Sequence, residues 1–313
     1  MFKIKRYTPD CADEWNRFVA MSKNGTFLFD RGYMDYHSDR FNDHSLMFYD
    51  AKGLFALLPA NAGDGVLYSH QGLTYGGLVT DGRATTESVC QLFREMNDYL
   101  RTVGFRQVVY KPVPWIYHSL PSEEDLYALF VVCQARLTGR DVSSVIPSTD
   151  SLAWRRDRRY AANKACRNGV VVSQNDDYHT FWHILTENLQ TRYGLLPVHT
   201  LNEMLLLRER FPQHIRLYTA TKDGEMLGGT VLYLCGKTMH SQYIASTPEG
   251  KHLHAVDALY ERILKTDFPQ ESDFFDFGKS TLGYSYDLNG SLMSQKEGFG
   301  ARAVCYDTYE WTL

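Results

Sequence analysis

Along the second half of the chain, the spacing of hydrophobic positions alternates between two periods. Residues 169–174 (GVVVSQ) are short and β-branched and predict a strand. Phe181, Ile184, Leu185 and Leu189 then fall on one face of a helix that Gly194 would stop. Thr200 and Glu203 form a Thr-x-x-Glu capping box, so a second helix starts there and ends before Pro212. Residues 215–246 predict three strands, with Asp223-Gly224 and Gly236-Lys237 as hairpin turns. Leu253, Val256, Leu259, Tyr260 and Ile263 share one helical face. The run DFFDF (273–277) predicts a buried strand, residues 289–299 a short helix, and residues 301–313 a closing strand.

The order is therefore β-α-α-β-β-β-α-β-α-β. The first half repeats much of it: a strand at 2–8, a helix at 11–23, strands and glycine turns over 45–79, a helix at 85–104 and a strand at 106–111. Two copies of one α+β architecture are expected, with a mixed sheet flanked by helices. The expected boundaries are residues 1–147 and 169–313. Between them, 148–168 forms a basic connecting helix, WRRDRRYAANKACRNG, bracketed by Pro147 and Gly169.

Composition narrows the function classes. With 313 residues and 44% apolar residues, each half can bury a core. A net charge of −4 argues against DNA or bulk nucleic-acid binding through global charge, and leaves local basic patches open. The apolar run at 126–133 is too short to span a bilayer, and the first ten residues lack a signal-peptide pattern, so a cytoplasmic protein is expected. Six cysteines without a Cys-x-x-Cys pair predict reduced, mostly buried thiols and no zinc site.

The element order is that of the GNAT acyltransferase fold. Two such copies joined by a basic helix resemble the Fem peptidyltransferases and their FemAB-like relatives. The stretches RRDRRYAANKACRNGVVV and FDFGKS…LNGSL…KEGFGA carry that resemblance. It implies transfer of an acyl or aminoacyl group onto an amine, on a small molecule or a peptide precursor. The donor would be aminoacyl-tRNA, as in the Fem enzymes, or acyl-CoA, as in other relatives. GNAT enzymes cradle the CoA pyrophosphate with a glycine-rich turn of open backbone N–H groups. The matching place here, STPEGKHLHAVDAL, has Gly250 alone, followed by Lys251. That weakness favours the Fem-like branch.

Candidate chemistry follows from residue type and place. Lys279 follows the strand DFFDF after Gly278, where a lysine could hold a phosphate or an oxyanion. Arg192, Tyr193 and His199 surround a stiff turn at Pro197, in the segment that borders the acceptor site in GNAT-like folds. On the third hairpin strand, alternation puts His240 and Gln242 on one face and Ser241 and Tyr243 on the other. Tyr243, Lys279 and His199 are therefore the candidate acid–base and charge-stabilising groups. Arg192, Tyr193, His240 and Gln242 are candidate substrate contacts. Arg158 and Arg159 on the basic helix, with Gly250 and Lys251, are candidates for holding the donor's phosphates. In the first half, Trp115, Tyr117 and His118 could form a stacking platform for a sugar or base. Lys296 and Glu297 are adjacent on the last helix and point in different directions.

Each of these residues also has a structural reading, as a solvated cation, a packed aromatic or a core histidine. If those readings hold, the chain is a non-catalytic ligand-binding module with degraded GNAT motifs. Serine-hydrolase and P-loop chemistry are excluded more firmly. There is no Gly-x-Ser-x-Gly elbow, and the Gly278-Lys279-Ser280 letters lack the leading glycine, because position 273 is Asp273.

Overall fold

The structure is a computed structural model that describes residues 1–283 and 286–313. Tyr284 and Ser285, between the expected DFFDF strand and the expected helix at 289–299, lie outside the described residues. The chain divides into two compact units: 1–141 with 305–313, and 142–304.

In the first unit, β1 (Lys3–Arg6), β2 (Leu46–Asp50), β3 (Gly53–Leu58) and β6 (Val79–Thr80) form one antiparallel sheet. Strands β4 (Asn61–Gly63), β5 (Val66–Tyr68) and β7 (Gln107–Tyr110) form another ladder, with β5 and β7 parallel. Helices α1 (Ala12–Met21), α2 (Arg31–Met34), α3 (Thr86–Thr102) and α4 (Glu124–Val131) complete the unit. Thr85 caps α3 by accepting from the Ser88 N–H, and Val89, Leu92, Phe93 and Met96 of α3 are buried in the core.

The second unit contains β8 (Arg136–Pro147, from Val142 onward), α5 (Arg156–Arg167), β9 (Val171–Asn175), α6 (Tyr178–Tyr193) and α7 (Leu201–Arg210). Then come β10 (Ile215–Lys222), β11 (Glu225–Cys235), β12 (Thr238–Ser246), α8 (Pro248–His252) and α9 (Ala255–Arg262), which continues through a π turn at Ile263–Asp267. α10 (Phe268–Glu271), β13 (Phe274–Lys279), the short pair β14 (Thr281–Leu282) and β15 (Asp287–Leu288), and α11 (Gly290–Glu297) follow. Its sheet runs β9-β10-β11-β12 antiparallel, β12 against β13 parallel, and β13 against β8 antiparallel. This is the mixed sheet expected of a GNAT fold.

Several local expectations hold in detail. The Thr200 side chain accepts from the Glu203 N–H and Glu203 answers to the Thr200 N–H, which closes the capping box of α7. Gly194 ends α6 in the left-handed region at φ +65°, where a side chain would be strained. Both hairpin turns fall at 223–224 and 236–237. Helices cover both faces of the sheet. A Cβ on Gly229 would sit 2.8 Å from the Phe181 ring of α6, whereas Leu232, on the opposite face, packs with Leu259, Tyr260 and Ile263.

The domain boundaries read from sequence need revision. The basic helix α5 is part of the second unit and packs on α9, with its Ala165 in the same core as Leu259. The closing strands are also exchanged. β8 from Val142 onward pairs with β13 in the second unit (Phe275 opposite Ile146). The last strand, β16 (Arg302–Thr312), pairs with β7 in the first unit, Tyr309 opposite Tyr110. Residue order does not encode strand partners when both candidates alternate apolar and polar residues. Of the cysteines, Cys90, Cys133 and Cys235 are buried, whereas Cys166 and Cys305 are exposed.

Candidate functional site

The parallel pairing of β12 with β13 ends at His240 opposite Asp276, although β12 runs on to Ser246. Beyond that point the sheet opens, and a cavity of about 460 Å³ occupies the second unit. Ile244, Ala245 and Ser246 of β12 line one side, α6 and α8–α9 contribute Arg192, Lys251 and His254, and α11 contributes Lys296. Its size is within the usual range for small-molecule sites. Four cationic side chains (Arg158, Arg192, Lys251 and Lys296) face it against one carboxylate, Asp257.

Lys296 is the least expected of these. It is only 8% exposed. Its Nζ donates to the Gly278 carbonyl (2.7 Å), to the Lys279 carbonyl (2.9 Å) and toward Ser280 Oγ (2.9 Å). Burial lowers its pKa to about 8, partly offset by the nearby Asp276 carboxylate. A charged Lys296 spends all three N–H donors on these partners, and a neutral one can donate to the two carbonyls and accept from the Ser280 hydroxyl. The same three contacts thus serve both protonation states.

The first turn of α8 is capped from within the chain. Pro248 at its first position has no N–H, and the Gly250 N–H is donated to Thr247 Oγ1 at 2.9 Å. Gly250 is needed because a Cβ there would lie 2.0 Å from the Leu227 carbonyl oxygen. The backbone amides that would hold a pyrophosphate are therefore largely used up. Lys251 follows directly and lines the cavity, and Arg158 reaches its wall from α5 while pairing with Asp257 at 2.9 Å. His254, between α8 and α9, lines the cavity from the left-handed region at φ +60°, a conformation sparsely populated by non-glycine residues.

The structure brings six of the residues singled out from sequence to this cavity: Arg158, Arg192, Tyr193, Gly250, Lys251 and Lys296. Arg159 instead lines a separate hollow beside Trp154 and Leu264. Tyr243 and His199 meet each other, with His199 Nδ1 2.6 Å from the Tyr243 hydroxyl, but neither is among the residues lining the cavity. Burial raises the Tyr243 pKa to about 12. Lys279 joins through its carbonyl, which holds Lys296; its ammonium does not line the cavity.

The alternation read for β12 is overturned by a bulge. Leu232 pairs with Ser241 and Val231 with Tyr243, so Gln242 is the extra residue. The phase flips there, and Tyr243 joins the face of His240, where it packs edge-on against Trp182 of α6 (5.2 Å). His240 and Gln242 do not line the cavity either. His240 Nδ1 instead lies 2.8 Å from Asp276 Oδ2, a fully buried carboxylate that also accepts from the Gly278 N–H and from Ser143 Oγ. Asp276 and Asp257 went unremarked in the sequence, since a lone Asp in an apolar strand or helix carries no local signal.

The stacking platform expected in the first unit does not form. Tyr117 is buried with its hydroxyl 3.1 Å from that of Tyr306, and the buried His118 ring bonds the Val113 carbonyl at 3.0 Å. Only Trp115 is exposed. Among the described residues, no cluster of His, Cys, Asp and Glu is placed to hold a metal ion, and no helix is long and apolar enough to cross a membrane.

The fold and the opened sheet define a GNAT-fold protein. The comparisons agree. A family model described as an acetyltransferase (GNAT) domain matches residues 153–286. FemX is similar over 99% of this chain and 97% of its own, at 12% identity and a TM-score of 0.69. L-PGS from Bacillus licheniformis is similar over 97% and 91%, at 14% identity and a TM-score of 0.62. A tandem GNAT protein from the clavulanic acid biosynthesis pathway is similar over 100% and 98%, at 10% identity and a TM-score of 0.52. At these identities the likeness is one of fold. No curated protein sequence matches the chain.

Proposed function

We propose that the chain is an acyl or aminoacyl transferase whose reaction centre is the cavity of the second unit. The carrying observation is Lys296: a buried lysine fixed to the end of β13, on the floor of a cavity whose other cations outnumber its acid. Such a cavity suits an acyl group esterified to a phosphate-bearing carrier. The amine nitrogen of the acceptor attacks the carbonyl carbon, the carbonyl π electrons move to oxygen, and the bond to the carrier then breaks. The amine loses one proton, and the departing oxygen or sulfur gains one. Lys296 contributes positive charge near the developing oxyanion; its N–H groups are already engaged. Arg158, Arg192 and Lys251 hold the carrier's phosphates.

Aminoacyl-tRNA is favoured over acyl-CoA as donor, because the α8 amides that would grip a pyrophosphate are capped by Thr247 or missing at Pro248. The resemblance to FemX and L-PGS in fold is consistent with this choice. The test is donor consumption. Purified protein is mixed with aminoacyl-tRNA, or with acetyl-CoA, and a panel of primary amines, and release of deacylated tRNA or free thiol is followed. Amine-dependent release that falls about 10²-fold in Lys296→Met supports the assignment. Release from neither donor, across the panel, supports a ligand-binding module without catalysis.

A further inference from the structure

The hollow that Arg159 lines has a volume of about 300 Å³ and lies wholly within the second unit. The segment that leads from β8 into α5, from Ile146 to Trp154, forms one wall. The π turn after α9, with Pro269 of α10, forms the other. Both walls are held by local rules. Pro269 has no N–H for the Lys265 carbonyl four residues back, and the helix widens there, with the Phe268 N–H reaching the Ile263 carbonyl. The opposite wall rests on the turn after α11. A Cβ on Gly300, at φ +91°, would lie 2.3 Å from the Leu152 carbonyl oxygen, and the Arg155 N–H donates to the Gly298 carbonyl at 2.8 Å.

The base of the hollow is apolar: Ile146, Leu264, Phe268 and Phe299 line it and are all buried. Trp154, half-buried, meets Phe299 edge-on at 4.9 Å between ring centroids. Phe299 also lines the basic cavity, where the Arg158 guanidinium lies 5.7 Å over its ring, so one ring belongs to the walls of both spaces. At the lower end of the size range for small-molecule sites, the hollow has room for one ring or a short alkyl chain.

Charge at the rim decides the ligand class. Two cations line the hollow, Arg159 and Lys265, and no described carboxylate does. Lys265 is compensated: its Nζ bonds Glu261 at 2.6 Å and lies 5.0 Å over the Trp154 ring. The nearby Asp157 is taken up by Arg155 and Arg158, at 3.4 and 3.6 Å. The exposed Arg159 guanidinium has no ion pair among the described residues, and the Ser148 and Ser151 hydroxyls stand on the same rim. One uncompensated guanidinium above an apolar base suits a monoanion with an apolar body. A planar carboxylate matches the guanidinium fork. A phosphate dianion would need a second free cation, and would lose hydration against the buried rings.

We propose that this hollow binds a small apolar monocarboxylate, an aromatic acid or a short fatty acid, with its body against Phe268 and Phe299 and its carboxylate on Arg159. The assignment does not depend on the transfer reaction. The test uses the full chain with benzoate and hexanoate as probes, benzyl alcohol as the uncharged control and inorganic phosphate as the anion without an apolar body, read by saturation-transfer NMR titration and thermal shift. At least one carboxylate should bind and raise the melting temperature. Benzyl alcohol should bind about fivefold more weakly than benzoate, the scale of an ion pair at a rim, and Arg159→Met should erase that difference. Ala153→Trp, which places a bulky ring on the exposed rim, should weaken binding at least tenfold. Lys251→Glu, in the basic cavity, should leave it unchanged. Absence of binding by both carboxylates, equal binding of benzyl alcohol and benzoate, binding that survives Ala153→Trp, or binding of phosphate in their place would overturn the assignment. So would loss of binding in Lys251→Glu, which would move the ligand to the basic cavity.

Discussion

Lys296 Nζ lies 2.7 Å from the carbonyl oxygen of Gly278, a bond that ties the last helix of the second unit to the end of β13. The bond makes the cavity floor sensitive to pH. Burial holds the Lys296 pKa at about 8, below its ordinary 10.5. Below pH 8 both folded and unfolded chains carry this proton and the burial penalty is fully present. Between about 8 and 10.5 only the unfolded chain keeps it, so stability rises with pH. The span corresponds to about 3 kcal/mol. Urea unfolding of wild type and Lys296→Met at pH 7 and pH 10 should show wild type gaining on the variant by that order. A pH-independent difference would place the lysine in a solvated setting instead.

Tyr243→Phe tests whether the His199–Tyr243 pair is structural. The change removes the hydroxyl 2.6 Å from His199 Nδ1 and leaves a buried imidazole nitrogen without that partner. A loss of about 1–3 kcal/mol is expected. Donor affinity should stay unchanged, since neither residue lines the cavity. Weakened donor binding at unchanged stability would put the pair in the site.

Gly250→Ala drives a Cβ against the Leu227 carbonyl oxygen, 2.0 Å away, which already accepts from the Thr247 N–H. Backbone must shift on both sides of the contact. Thermal unfolding should report about 1–3 kcal/mol of destabilisation, and donor affinity should fall because the α8 wall moves. A fully stable variant would show that α8 can slide freely on β11.

His118 predicts acid sensitivity of the first unit. Burial lowers its pKa to about 4, with the Val113 carbonyl acting in the opposite direction. A histidine depressed in the fold contributes stability that is present above its unfolded pKa, near 6.5, and lost as pH falls toward 4. The slope is at most about 1.4 kcal/mol per pH unit. Urea midpoints measured at pH 7 and pH 5 should drop with acid, and His118→Gln should drop less. Equal drops would remove His118 as a source.

The sequence revealed what is local. The Thr200–Glu203 capping box, the Gly194 stop and the two hairpin turns depend on neighbours a few residues apart, and the structure places them where the letters did. The facing of Tyr243 was misread because a single extra residue, Gln242, inverts strand alternation without any mark in composition. The exchange of closing strands, β8 to β13 and β16 to β7, is a long-range pairing choice that alternation leaves undetermined. Of the residues that line the cavity, Arg158 is suggested by residue type on its helix, and Arg192, Tyr193, Gly250 and Lys251 by the places that the GNAT resemblance marks. Lys296 was harder to see: its neighbours Gln295 and Glu297 are polar, so the segment looks like a solvated helix face, and its burial comes from the carbonyls of Gly278 and Lys279, seventeen and more residues away.

The central claim is that the basic cavity of the second unit holds the acyl donor. Equilibrium binding of aminoacyl-tRNA and of acetyl-CoA to wild type and to Lys251→Glu tests it most directly. The account predicts that wild type binds a donor, aminoacyl-tRNA more tightly than acetyl-CoA, and that reversing the charge at Lys251 weakens it at least tenfold, about 1.4 kcal/mol. Equal affinity for wild type and Lys251→Glu, or no binding of either donor, would contradict it.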